Sequence, residues 1–326
     1  MPPLANLEYT IGWISALPLE LAASRAMLDD DHGQPREQDK HDNNNYHLGR
    51  IEQHNVVMAC LPAGVYGTTS AATVATQMLF SFPSIRFGLM VGIGGGIPAK
   101  DVDVRLGDVV VSKPDGTLGG VVQHDFGKIG LNGKFVRSGS LNKPPPVLLK
   151  AIASLQAEHE LEPSKIPDYL EAMCTKHPKL RASYLYQGVS NDRLFETVCE
   201  HVGGHTCDSC DEGKVVRRAE RDDNTPVIHY GIIASGNSVI KDAMTRDRIG
   251  DELGAICFEM EAAGLVDNFP CLVIRGICDY ADSHKNKNWQ RYAAATAAAY
   301  AKELLSIIPG NQVESTLVAT EALKAG

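Results

Sequence analysis

Gly254-Ala255-Ile256-Cys257-Phe258-Glu259-Met260-Glu261-Ala262-Ala263-Gly264 decides how this chain is read. Gly254 to Cys257 is strand-like, and Ala262-Ala263-Gly264 opens a helix of small residues. Two carboxylates and a methionine stand at the hand-over. Asp279 follows at the end of a second apolar run, Cys271-Leu272-Val273-Ile274-Arg275-Gly276-Ile277-Cys278. Open α/β sheets keep their sites at the carboxyl ends of neighbouring strands. A carboxylate placed there can hold sugar hydroxyls, stabilise a developing cation or protonate a leaving group.

Outward from this stretch, strand and helix patterns alternate. Glu8 to Ala16 reads as a strand that turns at Pro18 into a helix near Leu19 to Met27. Residues 29–45 read as a polar loop, with strands at Tyr46–Ile51 and Asn55–Leu61 after it. Gly67–Phe80 is predicted as an Ala-rich helix with Thr68 and Thr69 as caps. Phe87–Gly92 is a strand that breaks into Gly94-Gly95-Gly96, and Leu106–Ser112, Gly120–His124 and Ile228–Ser235 are further strands. Between Asn132 and Thr225 the pattern weakens, with a helix expected near Val147–Glu158 and a helical piece near Asp192–His201. Asn288–Ile308 is a long Ala-rich helix. The tail from Gly310 shows no packing partner. Alternating strands and helices imply an α/β fold with a mixed sheet.

The chain has 326 residues, a formal charge of −9, 44% hydrophobic and 22% charged residues, the profile of an ordinary globular protein. The acidic balance argues against a broad nucleic-acid footprint, which needs clustered Lys and Arg. No apolar run reaches the roughly 18 residues of a membrane span. The N-terminus lacks a secretory pattern, so the expected location is cytoplasmic and the eight cysteines are expected to be reduced.

Ile11-Gly12-Trp13-Ile14-Ser15-Ala16-Leu17-Pro18-Leu19-Glu20, Gly92-Ile93-Gly94-Gly95-Gly96, Phe258 to Gly264, and Asp279 together resemble the nucleoside phosphorylase/nucleosidase superfamily, nearest in motif to methylthioadenosine/S-adenosylhomocysteine nucleosidases. The wording of Ile233-Ala234-Ser235-Gly236-Asn237 and of Cys278 to Lys285 is similar to a fungal branch, in which the domain often fronts larger receptor-like proteins. The likeness covers about 8–128 and 226–308. It implies a three-layer phosphorylase/nucleosidase-type fold, a central mixed twisted sheet flanked by helices. One domain is expected over 1–309, with 129–225 as a branch-specific elaboration and 310–326 as a C-terminal tail.

The resemblance implies a purine nucleoside N-ribohydrolase acting on adenine-type nucleosides, with no catalytic cofactor. Breaking an adenine–ribose bond needs an acid at the purine, a hold on an oxocarbenium-like sugar, and a nucleophile at the far face; inverting glycosidases divide the work the same way. Asp279 is the expected acid at purine N7, or a plain loop cap. Glu261 is the expected acceptor from the 2′- and 3′-hydroxyls, with Met260 packed beside the ribose, or else a helix N-terminal acid. Glu259 either lines the site or serves as a helix N-terminal acid. Glu20 falls where the family places the water-activating Glu of nucleosidases, or is an exposed acid in a first helical turn. Related phosphorylases carry a Gly-Asp-Pro-x-Arg type turn instead, and here Pro18 is followed by no Arg before Arg25.

Gly94 and Gly95 are expected to let the backbone approach the ribose, or to form a simple turn. Ile93 stands where related nucleosidases usually offer a Ser. Ser235, Asn237, Ser238 and Val239 are expected at the base pocket, where relatives carry an aromatic in place of Val239; Trp289, Tyr280 or Phe126 is the expected substitute. Other readings remain: a phosphate-dependent purine nucleoside phosphorylase, an N-glycosidase acting on ATP or another nucleotide, and a non-catalytic nucleoside-sensing module. A homo-oligomer, with a dimer favoured, is implied by the resemblance.

Cys199 to Cys210 holds a separate constellation. Cys207 and Cys210 have the C-x2-C spacing of zinc ribbons, with His201 and His205 close by. These four are either ligands of a structural zinc that staples an insertion at 199–210, or free groups in a loop.

Overall fold

The structure is a computed structural model that describes residues 2–99, 101–133, 135–204 and 206–325. In chain order it contains β1 (Ile11–Ser15), α1 (Pro18–Ala26), β2 (Asp30–Gly33), β3 (Tyr46–Ile51), β4 (His54–Cys60), α2 (Thr68–Ser81), β5 (Phe87–Gly96), β6 (Val109–Ser112), β7 (Val121–Gln123), β8 (Gly127–Ile129) and β9 (Phe135–Arg137). There follow α3 (Pro146–His159), α4 (Ile166–Lys176), β10 (Ile228–Ser235), α5 (Ala243–Leu253), β11 (Ala255–Glu259), α6 (Ala262–Leu265), β12 (Cys271–Asp279), α7 (Gln290–Ser306), α8 (Gly310–Ser315) and α9 (Ala319–Ala325).

The apolar run of β5 is buried along nearly its whole length and lies at the centre of a ten-stranded mixed sheet, in the order β11-β10-β6-β12-β5-β1-β4-β3-β2 with β7 beside β10. A strand covered on both faces needs no alternation of apolar and polar residues. β1, β5 and β12 run parallel, whereas β6 is antiparallel to β12. β11 also pairs antiparallel with the end of β5, Cys257 against Gly96 and Phe258 against Gly95. That extra pairing closes β5, β12, β6, β10 and β11 into a ring. It draws the carboxyl ends of β5, β11 and β12 together.

Packing of helices on the sheet depends on glycine at a few strand positions. Gly276 of β12 faces α7, where an added Cβ would stand 1.8 Å from Ala293 O. Gly88 of β5 lies under Phe269, where an added Cβ would stand 1.8 Å from the ring. α7 thus covers one face together with α1 and α4, and α2 and α6 pack together over the other. Among the described residues no helix is long and apolar enough to cross a membrane.

Four sequence expectations change. Asp30–Gly33 is a short edge strand within the predicted loop, paired to β3. No helix forms over Asp192–His201, and Phe195 instead bridges to Val215. α4 was not foreseen; it buries Ile166, Leu170, Met173 and Cys174. The tail folds as α8 and α9 and is tied down, with Val313 and Ala319 buried and Ala319 N donating to Ile85 O at 2.7 Å.

Candidate active site

Glu20 enters the site from the first turn of α1. Pro18 starts the helix with φ already set. Glu20 Oε2 accepts from the N–H groups of Ala16 (2.7 Å) and Leu17 (2.9 Å), and Oε1 accepts from Ile93 N at 2.8 Å. The residue is 2% exposed, so the reading of an exposed first-turn acid does not hold. Burial pushes its carboxyl above the usual range, against the pull of Arg275 and of the three N–H groups. At position 93 the backbone N–H, available to any residue but Pro, makes this contact. Gly92 lets the two groups meet: a Cβ there would stand 2.5 Å from Glu20 Oε1 and 2.6 Å from Arg275 Nη1.

Glu259 ends β11, and Glu261 sits at the N-cap of α6. Glu259 Oε2 accepts from the N–H groups of Glu261 (3.1 Å) and Ala262 (2.9 Å), so it does serve the start of the helix. The same oxygen takes Arg275 Nη2 at 2.5 Å, and Glu261 Oε2 takes it at 3.2 Å. Glu259 Oε1 is buried with no hydrogen-bond partner. Burial, reinforced by Glu259 and Glu20 and opposed by Arg275, pushes Glu261 up to about 7. Arg275 is 1% exposed. Burial works against its charge, but Glu259, Glu261 and Glu20 outweigh burial and hold it charged.

Asp279 ends β12, opposite Gly95 of β5. Its Oδ1 accepts from Ala281 N at 2.9 Å, an Asx turn that holds Ala281 at φ +51°. Its Oδ2 accepts from Cys278 Sγ at 3.1 Å and pairs with Lys285 Nζ at 2.9 Å. Burial would lower the Lys285 ammonium, yet the charge of Asp279 outweighs it and raises Lys285 above its ordinary value.

These groups line one cavity of about 370 Å³ at the carboxyl ends of the strands. Of the sequence-predicted residues, the cavity wall contains Glu20, Ile93, Gly94, Gly95, Ser238, Val239, Glu259, Met260, Glu261 and Asp279. Three others fall elsewhere. Ser235 is fully buried and accepts from Ala263 N, bracing α6. Asn237 Oδ1 accepts from Thr68 N and Thr68 Oγ1, so it caps α2 and Thr68 is the residue capped. Phe126 leads into the β8–β9 hairpin, is 58% exposed and lines a different cavity. Trp289 and Tyr280 are buried in other contacts, with Trp289 Nε1 donating to Asn191 O and Tyr280 bonded to Asp192 and Arg218. The aromatics that reach the cavity are Tyr66 and Phe258.

Sequence reasoning missed Arg275, Lys285, Lys287 and Tyr66 as wall residues, whereas Lys241, read from the sequence with Lys128 as able to meet a 5′-phosphate, does reach the wall. Arg275 had a visible signal: a lone cation in an eight-residue apolar strand must be buried and must therefore be paired. Lys285 and Tyr66 sit in loops, where the sequence gives no direction to a side chain.

The central mixed sheet flanked by helices is the phosphorylase/nucleosidase-type fold, as its likeness to solved nucleosidase structures shows. More particularly, the chain has a methylthioadenosine/S-adenosylhomocysteine nucleosidase-like fold. It is 26% identical over 312 residues to a 5′-methylthioadenosine/S-adenosylhomocysteine nucleosidase of Mycobacterium bovis, covering 93% of this chain and 98% of that protein. It is 52% identical over 308 residues to a nucleotide-binding leucine-rich repeat (NLR)-like protein of Hyaloscypha variabilis. That match covers 94% of this chain but spans only 30% of the relative's length. Among solved structures, futalosine hydrolase of Helicobacter pylori superposes with a TM-score of 0.58 at 17% identity, covering 91% of this chain and 97% of that one. No family model matches the chain.

Proposed function

We propose that the chain is a purine nucleoside N-ribohydrolase that cleaves the N-glycosidic bond of adenine-type nucleosides with water. The observation that carries this reading is the convergence of Glu20, Glu259, Glu261 and Asp279 with Arg275 around one cavity. The M. bovis relative bears the name of a nucleosidase, which supports the same class of reaction.

The roles follow from position. The purine enters with N7 at Asp279, the proposed acid, which relays a proton drawn from solvent. That proton passes to N7 while the C1′–N9 bond breaks, so the base leaves neutral. Glu261 accepts hydrogen bonds from the 2′- and 3′-hydroxyls, and its grip tightens as positive charge builds on the ring. Water attacks C1′ from the opposite face and gives its proton to Glu20. Arg275 contacts no reacting atom in this scheme; it keeps the buried carboxylates close together. The chemistry needs no metal or cofactor.

Phosphorolysis is disfavoured on electrostatic grounds. Arg275 is already engaged by Glu259 and Glu261 and faces Glu20, so a phosphate there would meet more negative charge than positive. A second reading keeps hydrolysis but takes a nucleotide. Lys241 and Lys287 on the cavity wall support it, since they could pair with a 5′-phosphate. The exposed apolar side chains of Ile129, Leu131 and Val136 at the β8–β9 hairpin support self-association as a homo-oligomer.

The test is incubation with adenosine, inosine, methylthioadenosine and ATP, each with and without phosphate, followed by product analysis. Free base and the matching free ribose, unaffected by phosphate, are expected. Ribose 1-phosphate formed only when phosphate is present, or no base release from any of the four, would overturn the proposal.

A further inference from the structure

Outside the carboxylate cavity, the long segment between α4 and β10 gathers a second set of chemistry-bearing groups. His201 Nδ1, Cys207 Sγ and Cys210 Sγ lie within 4.8 Å of one another. Nδ1 is 3.8 Å from the first sulfur and 3.3 Å from the second. A tetrahedral zinc with Zn–N of about 2.05 Å and Zn–S of about 2.3 Å requires N···S edges of about 3.6 Å. The two distances straddle that value. Both cysteines are buried, and Cys210 N donates to Cys207 O at 3.1 Å, closing the C-x2-C turn. His201 Nε2 lies 3.4 Å from Gly204 O. A proton on Nε2 leaves the Nδ1 lone pair facing the thiols, the tautomer that a metal takes.

His284 supplies an independent observation. It is 6% exposed, it stacks on Phe195 with centroids 3.9 Å apart, and neither ring nitrogen is hydrogen-bonded, Nδ1 standing 3.9 Å from Asp282 Oδ2. A buried polar atom without a partner costs about 1–3 kcal/mol. The ring centroid lies 5.5 Å from that of His201, and the His284 carbonyl lies 4.0 Å from Cys207 Sγ. A third observation concerns the stretch from Phe195 to Val215: Asn191, Arg218 and Arg221 tie the rest of the segment to Trp289, Tyr280 and Asp108, but this stretch has little core. Its own apolar cluster is Phe195, Cys207 and Cys210, and its β pairing is the Phe195–Val215 bridge. Small cores of that kind need a staple.

We infer that His201, Cys207 and Cys210 bind a structural zinc ion, with His284 swinging in as the fourth ligand. Binding displaces one proton from each thiol to solvent, and two thiolates balance the charge of the ion. His205, a ligand candidate in the sequence, lies outside the described residues. The site ties the insertion to the turn after β12, where His201 N already donates to Ser283 Oγ at 3.0 Å. Lys285, next to His284, reaches Asp279 from that turn. The ion therefore braces one wall of the cavity without touching substrate.

The test is elemental analysis of the full chain, purified reduced and without chelator. About one zinc per chain is expected. Joint Cys207→Ser and Cys210→Ser substitution should lower that at least tenfold, whereas Cys199→Ser should retain the metal. His284→Ala should weaken retention in a chelator competition by roughly tenfold or more; unchanged retention removes His284 from the ligand set. Cobalt added to metal-stripped wild-type protein should give the thiolate charge-transfer absorption of a tetrahedral two-sulfur site, a readout that stands even if the serine variant misfolds. Folded wild-type protein that holds neither zinc nor cobalt overturns the inference. Nucleoside hydrolysis on the same samples separates the two proposals: active, metal-free protein sinks only the zinc, and metal-loaded, inactive protein sinks only the hydrolase.

Discussion

Replacing Arg275 by Met would leave Glu259 and Glu261 buried side by side without their shared counter-charge. Breaking a buried pair by removing one partner costs about 3–5 kcal/mol. The Arg275→Met protein is expected to lose about that much stability at pH 8, read as a lower urea midpoint; an unchanged midpoint would refute the buried-cluster argument. Asp279→Asn and Glu20→Gln test chemistry instead. Each should lower turnover more than tenfold, over 1.4 kcal/mol in barrier. Glu20→Gln also puts an amide where three backbone donors point, so about 1–3 kcal/mol of stability should go with it. Near-normal turnover in either folded variant would remove that residue from the mechanism. Titration gives a further check. Glu261 is raised to about 7 in the folded protein, so between its ordinary range and 7 the folded state binds more protons than the unfolded. Its contribution to stability is therefore full below pH 4.5 and is lost as pH rises through about 7. Activity runs the other way, because the ionised forms of Glu261 and Glu20 are the working ones. kcat/KM should climb as pH rises through about 7, and a flat profile from pH 5 to 8 would contradict the role given to Glu261. At this scale the sequence was most informative where carboxylates follow strands. It misled at Ser235 and Asn237, whose side chains accept from Ala263 and Thr68, distant in the chain, and at Phe126, which lines another cavity; no spacing encodes these placements.

Gly276 shows how one element seats another. A Cβ at that position meets Ala293 O, Cα and C, all backbone atoms of α7 that no rotamer change can move away. Overpacking typically costs 1–3 kcal/mol and occasionally more. Gly276→Ala should reach at least about 3 kcal/mol, because relief requires lifting α7 from β12. Thermal unfolding measures it, and a fall in Tm of less than a few degrees would mean that the helix is free to shift. Most strands of 8–128 and 226–308 were readable because they are apolar runs bounded by Gly, Pro or polar turns; α5, whose buried face includes Arg246 and Gly250, was not foreseen. β2 was not, since Asp-Asp-His-Gly has no β-formers and becomes a strand only by pairing at the sheet edge with β3. α4 was hidden by Pro167 in its first turn and by flanking polar residues, although Ile166, Leu170, Met173 and Cys174 keep the i, i+4 and i+7 spacing of a buried stripe. The tail looked partnerless because its contacts, at Ile85 and Arg86, lie over two hundred residues back in the chain.

At the scale of the whole molecule the charge is −9, and the field of that net charge surrounds a cavity whose four carboxylates are matched by Arg275, Lys285, Lys241 and Lys287. Such a field repels anions at long range, screened over about 8 Å at physiological salt. A nucleoside, being neutral, enters without penalty. A nucleotide would need local cations at the wall, and Lys241 and Lys287 are exposed and placed to serve. Reversing both, as Lys241→Glu with Lys287→Glu, separates the two substrate classes. Neither lysine contacts the buried carboxylates through any ion pair seen among the described residues, so turnover of adenosine or methylthioadenosine should stay within about twofold. If ATP is turned over at all, its KM should rise at least tenfold, since two attractive contacts of about 1 kcal/mol each become repulsive ones. The measurement is a pair of Michaelis curves for each protein at two salt concentrations, because the change for the nucleotide should shrink as salt rises. Equal losses for adenosine and ATP would place the lysines in the architecture of the cavity and remove the case for a 5′-phosphate site.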